Sequence, residues 1–317
     1  MNRFFIIPVS IFFIVICVIV FYLQFIYEDW KFIAPKKILP DICNDKNDLE
    51  LVIDPEDNIK GRSFKDNPDV SSKHKFHAVY LLPCEMPDRR FDVDFNIQSS
   101  LYAINKWFFI KSKKQKINFD KNNNNNIDVT FLRVNKTMNW FIKKSKSDNN
   151  IKDVGLQIEN IILSNSNLFH YFNRKKFIVF FEGWEKRKSL FFNICGKSRY
   201  DGKVAVFFTN GKWKQDVGNN KKMFSCIKND SLNDLNDETF GDSEATILHE
   251  ILHTLGAPPK CGKNLDPNNI FHVNDNDKDI LYKSSGNTYL DYNNDDYYNH
   301  NMKDCYDLTN SNYLIKP

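Results

Sequence analysis

The stretch "SEATILHEILHTLGAPPKCG", residues 243–262, sets two histidines four apart with a glutamate beside the first. Ile247, Leu248, Ile251, Leu252 and Leu255 recur at helical spacing, so the segment reads as a helix with one buried stripe. Asp242 or Ser243 can cap its first N–H groups, Glu244 suits its positive end, and Gly256 can close it. On such a helix His249 and His253 lie one turn apart and project side by side. Two neutral imidazoles so placed can close on one Zn²⁺ at about 2.0–2.1 Å. Glu250 sits at another azimuth, too far round to be a ligand and well placed to take a proton from water. The plainer alternative, two surface histidines on an amphipathic helix, leaves the stripe, the caps and the glycine three residues after His253 without a common cause. A third ligand has to come from beyond Pro258 and Pro259, which direct the chain away in extended form. His272, nineteen residues after His253, is the expected ligand, with Asp275 and Asp279 as competing carboxylates.

The rest of the chain must supply the fold. Residues 4–27 carry no charged side chain and are long enough to cross a hydrocarbon core of about 30 Å, which predicts a signal anchor over 1–27. Residues 28–74 are polar, are broken by four prolines and read as a stalk. From residue 75 the character changes. "KFHAVYLLP", "IDVTFLRV", "KFIVFFEG" and "KVAVFFTN" read as strands, with helices predicted over 95–110, 137–146 and 151–164. That order predicts an α+β or α/β domain over 75–317, α+β being the arrangement preferred, with one mixed sheet and the motif helix.

The 317 residues carry a net charge of +4, but the lysines travel with asparagine and isoleucine throughout, as in "KNNNNN". No basic stripe with interleaved aromatics appears, so no nucleic-acid partner is expected. Besides Cys17 there are six cysteines, none in a C-x-x-C pair, which suits three disulfides better than a zinc ribbon. The expected pairs are Cys195–Cys226 and Cys261–Cys305, leaving Cys43–Cys84 by elimination. Disulfides place residues beyond the anchor outside the cytoplasm, in the periplasm or on the cell surface.

"HEILHTLG" resembles the H-E-x-x-H-x-x-G core of the metzincin-type zinc peptidases. The usual position of their third ligand is Pro259 here, and proline cannot ligate. "HTLGAPPKC", "FHVNDNDKDILY", "LDYNNDDYYNH" and "CYDL", in that order, are more similar to a group of secreted or surface bacterial zinc metallopeptidases. This resemblance implies a zincin-like fold, Zn²⁺ as cofactor, a peptide or protein substrate, and His272 as third ligand. It also puts Leu281 where metzincins carry a methionine beneath the metal, with Tyr282 beside it as a candidate oxyanion donor. Asp291, Asp295 or Asp296 are candidate acceptors for histidine N–H groups. "DNDKD" opens like an EF-hand loop but lacks its glycine and final glutamate, so calcium of that kind is not expected. The expected activity is peptide hydrolysis by a zinc-activated water with Glu250 as base. The alternative is a weakly active or inactive surface module that keeps the fold, as Pro259 and Leu281 would suit.

Overall fold

The computed structural model describes residues 41–317 apart from 69–70, 148–152, 187–192, 218–219, 228–238, 284–285 and 317. The expected anchor over 4–27 lies outside the described residues. Among those residues, no helix is long and apolar enough to cross a membrane.

Six strands form the main sheet: β1 (Leu51–Val52), β2 (Lys75–Pro83), β4 (Val129–Val134), β5 (Lys175–Phe181), β8 (Gly196–Ser198) and β9 (Val204–Phe208). Their order is β1-β4-β2-β5-β9-β8. The four central strands run parallel, while β1 and β8 pair antiparallel at the two edges. The central strands are apolar on both faces because both faces are covered. Tyr80, Phe131, Phe180 and Phe207 point to one side, against helices α1 (Asn96–Lys111) and α4 (Asp242–Thr254). Leu81, Leu132, Val179 and Val206 point to the other, against α2 (Met138–Ser147) and α3 (Val154–Ser164). The mixed sheet is as expected. With helices on both faces, however, the layering is α/β rather than α+β. The smaller strands pair off outside this sheet: β3 (Lys116–Ile117) with β14 (Leu314–Ile315), β6 (Glu185–Lys186) with β7 (Asn193–Ile194), β10 (Lys212–Val217) with β11 (Asn220–Ser225), and β12 (Leu265–Asp266) with β13 (Asn269–Val273).

The expected stalk over 28–74 differs from the structure from Ile42 onward, because residues 42–317 form one compact unit. Arg133 grips Asp57 through two bonds of 2.8 and 2.7 Å, and Arg62 grips Asp92 through two of 2.7 Å. Beside the β1–β4 pairing, the Asn135 N–H donates to the Glu50 carbonyl and the Asn135 side-chain oxygen accepts from the Glu50 N–H, both at 3.0 Å. Polar pairs between distant positions hold this segment, which therefore shows no hydrophobic periodicity. The disulfides Cys43–Cys84, Cys195–Cys226 and Cys261–Cys305 are all present, and the first pins the same segment to the end of β2.

Candidate metal centre

Helix α4 lies on the sheet through Ile247, Leu248, Ile251 and Leu252, all essentially inaccessible to solvent. Its start corrects the expectation for Asp242 and Ser243. Gly241 is the cap residue, and the Glu244 carboxylate reaches back to accept its N–H at 3.1 Å. The other Glu244 oxygen accepts from Ser100 of α1 at 2.6 Å, and the Ser243 hydroxyl donates to the Cys226 carbonyl. Gly256 closes the helix as expected, with φ of 80°. The Gly256 N–H returns to the His253 carbonyl and the Ala257 N–H to the Leu252 carbonyl, the pairing of a Schellman turn.

That turn contributes directly to the site. It swings the Ala257 carbonyl under His253, whose Nδ1 donates to it at 2.9 Å. His249 Nδ1 donates to the Ile280 carbonyl at 2.6 Å. A carbonyl can only accept, so each Nδ1 carries the ring proton and each Nε2 presents a lone pair. The two Nε2 atoms face each other at 2.9 Å. Burial drives the His249 pKa well below the ordinary value and lowers that of His253 to about 4, helped by the neighbouring imidazoles. Two buried, neutral lone pairs at that separation repel unless a cation lies between them. The His272 ring lies 5.1 Å from that of His249 and 5.2 Å from that of His253. One ring nitrogen from each of the three falls within 4.8 Å of the others. Tetrahedral zinc sets its nitrogen ligands roughly 3.3 Å apart, so the three residues fit such an ion after small side-chain adjustments.

Of the expected ligands, the structure brings His249, His253 and His272 together and leaves the two aspartates elsewhere. β13 carries His272 and is held by the Val273 N–H to the Leu281 carbonyl at 3.1 Å. Asp275 gathers instead with Asp295 and Asp296. Asp279 accepts from the Leu281 N–H, the Tyr292 N–H and the Tyr297 hydroxyl at 2.7, 2.9 and 2.8 Å, so it braces the turn under His249. Burial raises its pKa to about 7. Asp291, Asp295 and Asp296 were the expected acceptors for histidine N–H groups, and backbone carbonyls take that part. Asp291 accepts four backbone N–H groups of its own loop, Asp296 holds Asn264, and Asp295 also accepts from Asn264. Leu281 is fully buried beside Ile280, where packing beneath the site was expected. Tyr282 is half-buried and has the Lys283 ammonium 5.6 Å above its ring. Its hydroxyl makes no hydrogen bond among the described residues.

Glu250 is buried next to the histidines, and two residues of edge strand β8 hold it. The Ser198 hydroxyl donates to Oε2 at 2.6 Å. Gly196 lies so close that an added Cβ would sit 2.6 Å from Glu250 Cγ and 2.8 Å from Oε1. Neither Ser198 nor Gly196 carries a local sequence signal, since the partner is more than fifty positions away.

A second buried cluster joins Asp66, His77, Asp120 and Asp128 at the start of the parallel strands. The Lys175 ammonium bridges Asp66 and Asp120, and Lys75 adds a contact to Asp120 at 3.2 Å. An ammonium already occupies the place a metal would take, so this cluster is an ion network bracing β2 and β5.

No family model and no curated protein matches the sequence. Among solved structures, catalytically inactive OgpA from Akkermansia muciniphila, in complex with an O-glycopeptide (glycodrosocin) substrate, is similar at a TM-score of 0.34 and 9% identity. The match covers 80% of this chain and 61% of that one, so the chain spans less than two thirds of that protein's length.

Proposed function

We propose that this chain is a zinc-dependent peptidase. One observation carries the reading: His249 and His253, fixed through Nδ1 by carbonyls, turn two unprotonated Nε2 atoms toward one point beside His272. His249, His253 and His272 would hold the ion, which supplies Lewis acidity toward a carbonyl and acidifies water toward neutrality. Glu250 takes the proton of the attacking water and passes it to the leaving amine. Ser198 and Gly196 restrict that carboxylate to one orientation. β8 is an edge strand with no further strand paired to it among the described residues, so an extended peptide can add alongside it. This brings a scissile bond close to Glu250 without further machinery.

The same proposal puts the folded unit outside the cytoplasm, held by the apolar segment 4–27. The three disulfides support that placement. Labelling of intact cells with an impermeant protease tests it, and protection of the folded unit would refute it. A broad peptide library incubated with the zinc-loaded protein tests the activity. Hydrolysis is expected, together with its loss in Glu250→Gln at unchanged zinc content. Unchanged turnover in that variant would rule out Glu250 as the base. The inactive alternative rests on Pro259 and Leu281, the two departures from the metzincin pattern.

A further inference from the structure

β8 runs out at Ser198, and two residues later Tyr200 lies beside the closing turn of α4. A Cβ placed on Gly256 would be 3.8 Å from the Tyr200 hydroxyl. The following Asp201 N–H donates to the His253 carbonyl at 2.9 Å, which fixes the β8–β9 connection to the metal helix. From the other side β13 delivers Phe271, adjacent in sequence to His272. Its ring lies 5.4 Å from that of Tyr200 and is tilted by 34°. Phe271 is nevertheless 41% exposed, far more than a packed aromatic of the core. Burial, with Asp201 and Tyr306 nearby, raises the Tyr200 pKa, so its phenol stays neutral.

Two aromatic rings from separate segments thus meet at the end of the edge strand, partly exposed, and Phe271 is adjacent in sequence to a candidate zinc ligand. We propose that Tyr200 and Phe271 form a side-chain subsite that receives a large apolar residue of an extended peptide lying along β8. This rests on the peptidase reading for the position of the peptide but not for its cleavage. Gly196 and Ser198 flank Glu250, whereas Tyr200 lies beyond them. The apolar residue is therefore read a short distance from the bond addressed by Glu250. For a peptide paired antiparallel to β8, chain direction puts that residue on the N-terminal side of the bond.

The test uses the full chain carrying Glu250→Gln, loaded with zinc, and short fluorescent peptides varied one position at a time. Anisotropy gives the affinity without turnover. One position is expected to prefer phenylalanine or leucine over glycine or aspartate by about tenfold, as burying one apolar side chain allows. Tyr200→Ala and Phe271→Ala should each flatten that preference while leaving zinc content and the affinity of the glycine peptide unchanged. Phe271 is the more exposed, so its variant remains informative if Tyr200→Ala fails to fold. A preference that survives Phe271→Ala, the absence of any apolar preference, or binding that follows lipid vesicles rather than peptides would overturn the subsite. Selective binding without hydrolysis by the parent chain would leave the subsite standing and refute the peptidase. Unselective hydrolysis would do the reverse.

Discussion

Gly196→Ala probes the link between the edge strand and the candidate base. The added Cβ would stand 2.6 Å from Glu250 Cγ, 2.8 Å from its Oε1 and 2.8 Å from Thr246 Cγ2. Ordinary contact begins near 3.4 Å, so something must move by about 0.8 Å. The Glu250 side chain cannot simply swing aside, because Ser198 of the same strand holds Oε2 at 2.6 Å. Either β8 lifts from the helix and loses that bond, or the carboxylate is pushed out of its present position. Overpacking of this kind costs about 1–3 kcal/mol. A catalytic group displaced by about 1 Å can lose on the order of 100-fold in rate. In an unobstructed strand the same substitution would instead stabilise the chain by about 0.4–1 kcal/mol through its unfolded state. The sign of the stability change therefore decides. Urea unfolding reads it, and kcat against KM on a library-derived peptide reads the displacement, with zinc content unchanged. A Gly196→Ala protein at least as stable as the parent, with full kcat, would refute both the packing and the positioning role of β8. Ser198→Ala removes the bond without adding bulk, and a smaller fall in kcat at constant KM is expected.

Two further predictions concern the ligand set and the turn beneath it. His272→Ala should weaken zinc binding far more than Asp275→Ala or Asp279→Ala does, measured by competition with a chromogenic chelator; parental affinity in His272→Ala would remove it from the site. Asp279 titrates near 7 when folded against 3.8 ordinarily, so the folded state binds the extra proton between those values. Its contribution is complete below about pH 4 and is lost as pH rises through 7, amounting to at most about 4 kcal/mol at 1.36 kcal/mol per pH unit. Asp279→Asn should flatten the fall in unfolding free energy over that range, and a slope equal to the parent's would refute the assignment.

The strands and helices were legible because each depends on local periodicity. Continuous apolar runs marked β2, β4, β5 and β9, and the stripe of Ile247, Leu248, Ile251 and Leu252 marked α4. The pairing of His249 with His253 is equally local, since a helix of 3.6 residues per turn puts i and i+4 side by side whatever surrounds it. Gly256 likewise announced its turn, because only a residue that tolerates positive φ closes a helix so tightly. The cysteine count suited three disulfides, and the structure contains the three expected pairs.

What the sequence left open were choices between chemically equivalent groups. His272, Asp275 and Asp279 could all ligate zinc, and only the approach of β13 to α4 brings the histidine in and leaves the carboxylates with their own loops. The acceptors for the histidine N–H groups proved to be carbonyls, which every residue carries and no pattern distinguishes. Ser198 and Gly196 reach Glu250, and Arg133 reaches Asp57, across separations at which one side chain leaves no trace in the other's neighbourhood. Periodicity is a property of one segment and survives in the linear chain. Convergence is a property of two or more segments, and it exists only once the sheet has placed them.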